Sequence, residues 1–154
     1  MGTVGEPRRV VAVASELVSS LTWMTSTRIK FEAAMDLQKL FSAPITSFTT
    51  FYFEEGIPMN WTTELLDLCG SSVNVAPGCF GSAVGITEQE IGCSTNRSKA
   101  VVLICGWESK EHHLAHGKMD SVRMSVNSLM EKACGLDLFH VKLIQAASEC
   151  HDNW

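Results

Sequence analysis

The stretch KAVVLICGWE, residues 99–108, constrains the fold more than any other part of this sequence. Its apolar side chains are almost uninterrupted, so it lacks the alternation of a strand with one solvated face. A nearly continuous apolar run of this length is typical of a β-strand that is buried on both faces. The sequence therefore predicts a sheet with a packed layer on each side of this strand, which ends at Trp107.

Three further segments have the pattern of strands. ITSFTTFYFEE follows Pro44 and is rich in β-branched and aromatic residues. CFGSAVGIT, residues 79–87, is apolar and dotted with glycine, as expected where another backbone or a ligand approaches closely. LDLFHVKLIQ, residues 136–145, alternates polar and apolar side chains. Together with residues 99–108, these segments predict four strands.

Two helices are predicted between the strands. NWTTELLDLCG has Asn60 as a candidate N-cap and Gly70 near its exit. The longer helix is capped by Ser109 and carries apolar side chains at three- and four-residue steps until Gly135. Gly117 could end this helix early, at His116.

The order of elements over residues 45–145 is β-α-β-β-α-β, the ferredoxin-like arrangement of the α+β class. Two helices then cover one face of a four-stranded antiparallel sheet. Because the strand ending at Trp107 is apolar on both sides, the second face must be covered too. A second copy of the same sheet is the economical cover, so we expect a homodimer.

The N-terminal segment 1–41 is predicted to be an extension, with a helical pattern in two places. An extra layer, a swapped arm and a partly disordered segment are all compatible with its composition. Val10, Val13, Leu17 and Leu21 recur at helical spacing, and RIKFEAAMDLQKLF places Phe31, Met35, Leu40 and Phe41 near one face. The main domain is expected over residues 42–146, and residues 147–154 are expected to form a tail.

Composition favours a cytoplasmic protein without nucleic-acid or membrane partners. The formal net charge is −5 and the basic residues are scattered, whereas phosphate backbones and anionic membranes require a concentrated basic surface. Glu16 interrupts a stretch that is already short for a signal peptide, and no run reaches the length of a membrane span. The cysteines form no CxxC pair, so they are predicted to be reduced, buried small side chains; they are Cys69, Cys79, Cys93, Cys105, Cys134 and Cys150.

Four motifs in this order, LLDLCG, PGCFGSAVG, VVLICGWESKEHH and LFHVKL, carry a family resemblance. The sequence over residues 45–145 resembles the dimeric α+β barrel superfamily, in particular small fungal proteins similar to antibiotic-biosynthesis monooxygenases. The resemblance implies a pocket between the sheet and the helices of each subunit. Cofactor-free monooxygenases, haem-degrading enzymes, polyketide cyclases and lactone isomerases use this fold, so it does not select a reaction. No cofactor is expected.

Three histidines at 112, 113 and 116 invite both a metal and an acid/base interpretation. The spacing permits a shared helix face, but no further ligand is evident, so no metal is predicted. A neutral imidazole that faces a pocket needs no further ligand to exchange protons near pH 7. His116 is therefore the preferred catalytic base. By resemblance, it aligns with a catalytic Tyr of plant polyketide cyclases, although Val122 stands where those enzymes carry their catalytic His.

Other residues are predicted to complete this site. His140 and Tyr52 are assigned to catalysis, to polarise a substrate oxygen. His140 can face either the pocket or the dimer seam. The residues assigned to substrate binding are Trp107, His113, Thr50 and Phe48. Of these, Trp107 is suggested by resemblance to members that use a pocket tryptophan, and His113 matches the histidine of the fungal WESxEAH pattern. On an unbroken helix, His113 would lie away from the apolar stripe, as a cap or a surface residue.

The predicted function is a cofactor-independent enzyme of secondary metabolism. It would cyclise, isomerise or dehydrate a hydrophobic polyketide or terpenoid intermediate by histidine acid/base chemistry in an apolar pocket, or act as a pericyclase through shape alone. One alternative is a cofactor-free monooxygenase of a phenolic substrate. The other is a non-catalytic protein that binds a metabolite.

Overall fold

The computed structural model describes residues 28–32, 36–91 and 98–143. Five strands form one sheet in the order β1-β3-β4-β2-β5, and every neighbouring pair is antiparallel. The strands are β1 (Ile29–Phe31), β2 (Ile45–Tyr52), β3 (Cys79–Thr87), β4 (Val101–Trp107) and β5 (Gly135–Val141). The helices are α1 (Leu37–Phe41), α2 (Trp61–Leu68), α3 (Lys110–Gly117) and α4 (Asp120–Met130). From β2 to β5 this is the predicted ferredoxin-like order, with β1 and α1 added before it.

Strand β4 lies at the centre of the sheet and is buried on both faces, as predicted. Alternate residues from Val101 point to the helices, and Cys105 is 3% exposed on that face. On the other face, Ile104 is 1% exposed. Because the strand is covered on both sides, apolar residues at consecutive positions are buried, with Leu103 half-buried, and this burial stabilises the fold.

The layer between the sheet and the helices is filled by side chains. Trp61 of α2 is fully buried and meets Phe51 and Phe53 edge to face, with ring centroids 4.8 and 4.9 Å apart. Its indole N–H also donates to the carbonyl of Leu129 at 3.0 Å, which ties α2 to α4. The resemblance implied a pocket between the sheet and the helices, but at these residues large aromatic rings occupy the space.

The helix predicted to run from Ser109 is two helices. Helix α3 ends at Gly117, and Met119 is extended, with φ −65° and ψ 131°, before α4 begins at Asp120. The break falls here because glycine is a poor helix former, which favours an end at Gly117, and because an acidic residue is favourable in a first helical turn, where Asp120 lies. Because α3 and α4 are separate helices, the apolar face of α4 does not predict which way the histidines of α3 point.

The second face of the sheet is partly covered by the same chain. Leu40 of α1 is 1% exposed and packs with Phe48, Ala83, Val102 and Ile104. The helix predicted across residues 28–41 was wrong in its first part, since Ile29–Phe31 is a strand that pairs with β3. Gly85 allows this pairing, because a side chain there would collide with Ile29. The helical prediction at 10–21 and the tail at 147–154 lie outside the described residues.

The remainder of the second face belongs to β2 and β5. Phe48 of β2 and Phe139 of β5 stack there, with centroids 5.3 Å apart and planes 6° apart. Phe139 nevertheless stays 45% exposed. A second copy of the chain would therefore cover this half of the face, not all of it.

Candidate active site

Helix α3 begins with a side-chain cap that orients its first turn. Ser109 is extended, and its hydroxyl accepts a hydrogen bond from the backbone N–H of His112 at 3.3 Å. The same hydroxyl lies 2.9 Å from Nδ1 of His112, whose Nε2 is 3.6 Å from Glu108. The side chain of His112 therefore contacts groups at the helix start, whereas those of His113 and His116 point toward Trp107 of the sheet.

His113 and His140 form a direct imidazole pair. Nδ1 of His113 lies 2.7 Å from Nε2 of His140, so one nitrogen donates a proton to the other. Strand β5 supplies His140, which stands opposite Ser47 of β2. Residues paired directly across strands share a face, and Ser47 is also paired with Cys105 in the helix-side core. The structure therefore places His140 on the helix side, and His113 is neither a cap nor a free surface residue.

Trp107 supports this pair from inside. Its indole lies nearly parallel to the ring of His113, with centroids 5.0 Å and planes 17° apart. The indole is 1% exposed, and its N–H donates to the hydroxyl of Ser47 at 3.2 Å. This hydrogen bond holds the Trp107 indole in the orientation in which it stacks against the His113 ring.

His116 lies behind the pair and is buried. It is 7% exposed, its Nε2 is 3.0 Å from the hydroxyl of Ser72, and its ring is tilted against Trp107 at 5.6 Å. Ser72 belongs to a π-helical turn, Cys69–Val73, that continues α2 beyond Gly70. Reading the sequence alone missed Ser72, because Gly70 was taken as the exit of the helix. The small polar run Gly-Ser-Ser after that glycine was the available signal.

The environment lowers the pKa of all three imidazoles. Desolvation, followed by the nearby His140 and His116, lowers the pKa of His113 from 6.5 to about 4. Desolvation alone lowers the pKa of His116. Desolvation and then the positive charge of Lys110 lower the pKa of His140. The three rings are consequently neutral at pH 7, and each carries one N–H and one lone pair.

This arrangement can present either a donor or an acceptor to a ligand. If His113 Nδ1 carries the shared proton, Nδ1 of His140 must carry a hydrogen and is a donor. If the proton is on His140 Nε2, then Nδ1 of His140 has a free lone pair and is a base. His113 and His140 are both half-buried and His116 is buried, but His140 stands on an edge strand of the sheet, whereas the ring of His113 lies against Trp107. A ligand would therefore meet His140 first.

Three predicted site residues lie on the opposite face of the sheet. Alternation along β2 puts Phe48, Thr50 and Tyr52 on the side away from Ser47. Tyr52 donates its hydroxyl hydrogen to Asp137 at 2.8 Å, near the start of β5, where its strand partner is Gly135. A single pocket that contains these residues and His116 was a wrong expectation for one chain, because side chains of odd and even positions on β2 are separated by the sheet.

Open surface beside the histidine pair is found along β5. Leu136 and Leu138 share the helix-side face with His140 and are 38% and 46% exposed. Two grooves elsewhere hold no histidine. One, of about 500 Å³, lies between α2 and α4 and includes Asp67 and Met124. The other, of about 380 Å³, lies beside Ile57.

Within the described ranges, no three His, Cys, Asp or Glu side chains are grouped so as to hold a metal ion. Cys69, Cys79 and Cys105 are free thiols. Burial raises the pKa of each, to about 11 for Cys69. Thiols in this state are poor nucleophiles. In the part of the chain that the structure describes, no helix has the length and hydrophobicity needed to cross a bilayer.

The fold and the edge site define an α+β protein of ferredoxin-like architecture with a neutral histidine pair beside its last strand. No family model matches the sequence, and no curated protein matches it. Solved structures do match. SnoaB, a cofactor-independent oxygenase from Streptomyces nogalater, superposes with a TM-score of 0.50 at 11% identity, over 70% of this chain and 100% of SnoaB.

Two other structures are similar. A dimeric ferredoxin-like protein of unknown function from Thermobifida fusca has a TM-score of 0.50 at 9% identity, over 64% of this chain and 90% of that one. A protein from Fusobacterium nucleatum described as a monooxygenase has a TM-score of 0.51 at 10% identity, over 77% of this chain and 50% of that one. At these identities the likeness concerns the fold alone. The ferredoxin-like fold that the resemblance implies is confirmed.

Proposed function

We propose that this protein is a cofactor-independent enzyme that moves a proton on an apolar small molecule bearing an oxygen. His140 acts as the acid/base group, and His113 is its hydrogen-bonded partner. The observation that carries the proposal is the 2.7 Å contact between the two rings at the open edge of the sheet. The lowered pKa of both rings supports it, because a neutral imidazole keeps its lone pair at pH 7.

The proposed reaction needs no electron acceptor. With the shared proton on Nε2 of His140, that N–H donates to Nδ1 of His113. The lone pair on Nδ1 of His140 then takes a proton from a carbon next to a substrate carbonyl. The C–H electron pair becomes part of an enolate, and His140 becomes an imidazolium. Return of the proton to a different substrate atom gives an isomer and restores the neutral ring. Alternatively, the enolate carbon attacks a second carbonyl, which forms a C–C bond and an alkoxide; the alkoxide takes the proton from the imidazolium and gives a cyclised product.

The role predicted for His116 changes in this proposal. A direct base must reach the proton that it takes, whereas His116 is 7% exposed and already contacts Ser72. We assign it to holding Trp107 and, through that indole, the ring of His113. Tyr52, Thr50 and Phe48 lie on the other face of the sheet and have no part in the step on His140.

A polyketide or terpenoid intermediate of secondary metabolism is the proposed substrate, since such molecules combine apolar surface with enolisable carbonyls. A homodimer is also proposed. The exposed Phe139, stacked on Phe48, is the apolar surface that a second copy would cover. We place the protein in the cytoplasm, where its free thiols would stay reduced.

Deuterium exchange tests the proton transfer directly. We expect the wild-type protein to accelerate uptake of deuterium from D₂O into 1-tetralone, an apolar ketone, as followed by proton NMR. His140→Gln should lower the protein-dependent rate by about a hundredfold, the usual contribution of a general base. His112→Gln, which removes a histidine of α3 outside the His113–His140 pair, is the matched control and should keep the rate. Full exchange by the His140 variant would remove His140 from the mechanism.

The second candidate is a cofactor-free monooxygenase, favoured by the fold shared with SnoaB and by an indole stacked on the imidazole beside the proposed base. Here His140 would deprotonate a phenol, and the electron-rich phenolate would reduce O₂. One oxygen atom would convert a CH₂ group of the substrate to a carbonyl, and the other would leave as water with the two hydrogens. An oxygen electrode with an anthrone separates the candidates, since only this one consumes O₂. If the protein binds the ketone or the anthrone tightly but catalyses neither deuterium exchange nor oxygen uptake, it is a non-catalytic metabolite-binding protein.

A further inference from the structure

We propose that the ligand of the His140 site is an amphiphilic anion, with an anionic oxygen held by Lys110 and Lys142 and an apolar body lying over Leu136 and Leu138. This inference rests on the proposed function, because it names the substrate class of the same site. It is narrower than an apolar small molecule, since a neutral ketone would leave both ammonium groups without a counter-charge.

Lys110 is placed beside the histidine pair by the geometry of α3. It is the first residue of that helix, directly after the Ser109 cap. Residues three apart on a helix are neighbours on one side, so Lys110 lies one turn before His113 on the side that meets His140. The positive charge of Lys110 acts on His140, which is consistent with this placement. Its side chain is exposed and can reach a bound anion.

Lys142 approaches His140 along the strand. It follows β5 directly, two residues after His140, and it is exposed. Side chains two apart on a strand point to the same face, so the alternation of β5, continued by one residue, would place Lys142 on the side of Leu138 and His140. Two exposed leucines, Leu136 and Leu138, are then followed along the chain by the imidazole of His140 and the ammonium group of Lys142.

The nearby carboxylates have other contacts in the described part of the chain. Glu108 contacts His112 at 3.6 Å. The pKa of Glu111 is lowered mainly by its own backbone N–H and the Ser109 hydroxyl, and the charge of Lys110 has a smaller effect. Asp137 accepts the Tyr52 hydroxyl on the other face of the sheet. In the ranges that the structure describes, neither Lys110 nor Lys142 takes part in an ion pair.

The leucines supply the other half of the recognition. Leu136 and Leu138 are 38% and 46% exposed, on the same face as His140. Exposed leucines in a row attract an apolar body, and charge complementarity with the lysines selects one that carries a negative oxygen. The chain as a whole has a formal charge of −5, so this positive corner runs against its overall charge. A carboxylate or an enolate of an apolar molecule fits both features.

Calorimetry with a matched pair of probes tests the inference. We expect 2-naphthoate to bind the wild-type protein about fivefold more tightly than uncharged 2-naphthamide, the effect of two exposed ion pairs. The double variant Lys110→Gln/Lys142→Gln should bind both probes equally. The control Lys30→Gln/Lys99→Gln, with exposed lysines away from β5, should keep the preference. The preference should also shrink in 0.5 M NaCl, because salt screens exposed charges.

Two results would overturn the anion site: equal affinity of the wild-type protein for both probes, or an unchanged preference in the double variant. Circular dichroism of each variant confirms that it is folded. Failure of the proposed function is distinguishable, because it appears as absent deuterium exchange while the binding preference persists. Exchange on the neutral ketone without any preference for naphthoate would instead reject the anion site and keep the proton-transfer role of His140.

Discussion

Acidification should destabilise this protein through His113. Burial of the ring, followed by its two histidine neighbours, holds the pKa of His113 at about 4, against 6.5 for an ordinary imidazole. The unfolded chain binds a proton at a higher pH than the folded chain does. The free energy of unfolding is therefore at its full value above pH 6.5 and falls as the pH is lowered from there toward 4.

The magnitude follows from these two pKa values. At pH 5 the imidazole of the unfolded chain is almost fully protonated and that of the folded chain is almost fully neutral. Between pH 7 and pH 5 this difference corresponds to a loss of about 2 kcal/mol. The ring of His113 is only partly buried, and contact with water reduces the expected loss to about 1 kcal/mol. The lowered pKa values of His116 and His140 act in the same direction.

Urea denaturation at pH 7 and pH 5, followed by tryptophan fluorescence, measures this loss. His113→Asn and His113→Phe both remove the titrating group, and the second keeps an aromatic ring against Trp107. In each variant the drop in the free energy of unfolding between the two pH values should be about 1 kcal/mol smaller than in the wild type. An unchanged drop in both variants would refute the reasoning. So would an NMR titration that places the pKa of His113 at 6.5 or above.

Three further perturbations test the packing around the site. Ser47→Ala leaves the buried indole N–H of Trp107 without its acceptor, and urea denaturation should show a loss of about 2 kcal/mol; a loss below about 0.5 kcal/mol would mean that water or another group replaces the hydroxyl. Leu40→Ala removes a side chain that is 1% exposed and should cost about 3 kcal/mol by the same assay, whereas a neutral effect would show that α1 does not cover the sheet. Phe139→Ser should shift a dimer toward monomer in sedimentation velocity, and Met59→Ser, at a site that is 89% exposed, is the control; a dimer that survives the Phe139 change would have to use another surface.

The strands of the main domain were predictable because their signals are local. The apolar run of β4, the β-branched and aromatic residues of β2, the small apolar residues of β3 and the alternation in β5 are each read within a single segment, and the order of elements limits the sheet to few topologies. The short strand β1 was not predictable in this way. Its residues Ile29–Phe31 fit a helical periodicity equally well, and pairing with β3 at Gly85 decides their conformation.

The candidate site was predictable in its members on α3 and β5 but not in its assembly. The sequence pointed to His113, His116, His140 and Trp107 as chemically distinctive residues. It also grouped His116 with Tyr52, which the sheet separates. Ser72 was missed, since its approach to His116 depends on a π-helical turn after Gly70.

Over residues 45–145 the sequence by itself determined which segments become strands and which become helical, and that one strand is buried on both faces, because backbone periodicity and hydrophobic burial act over a few neighbouring residues. Only the tertiary structure decided that His140 faces the helices and meets His113. That contact joins residues 27 positions apart, and it depends on the register of β5 against β2 and on the break between α3 and α4. A shift of one residue in that register would turn His140 to the other face of the sheet, since side chains alternate along a strand.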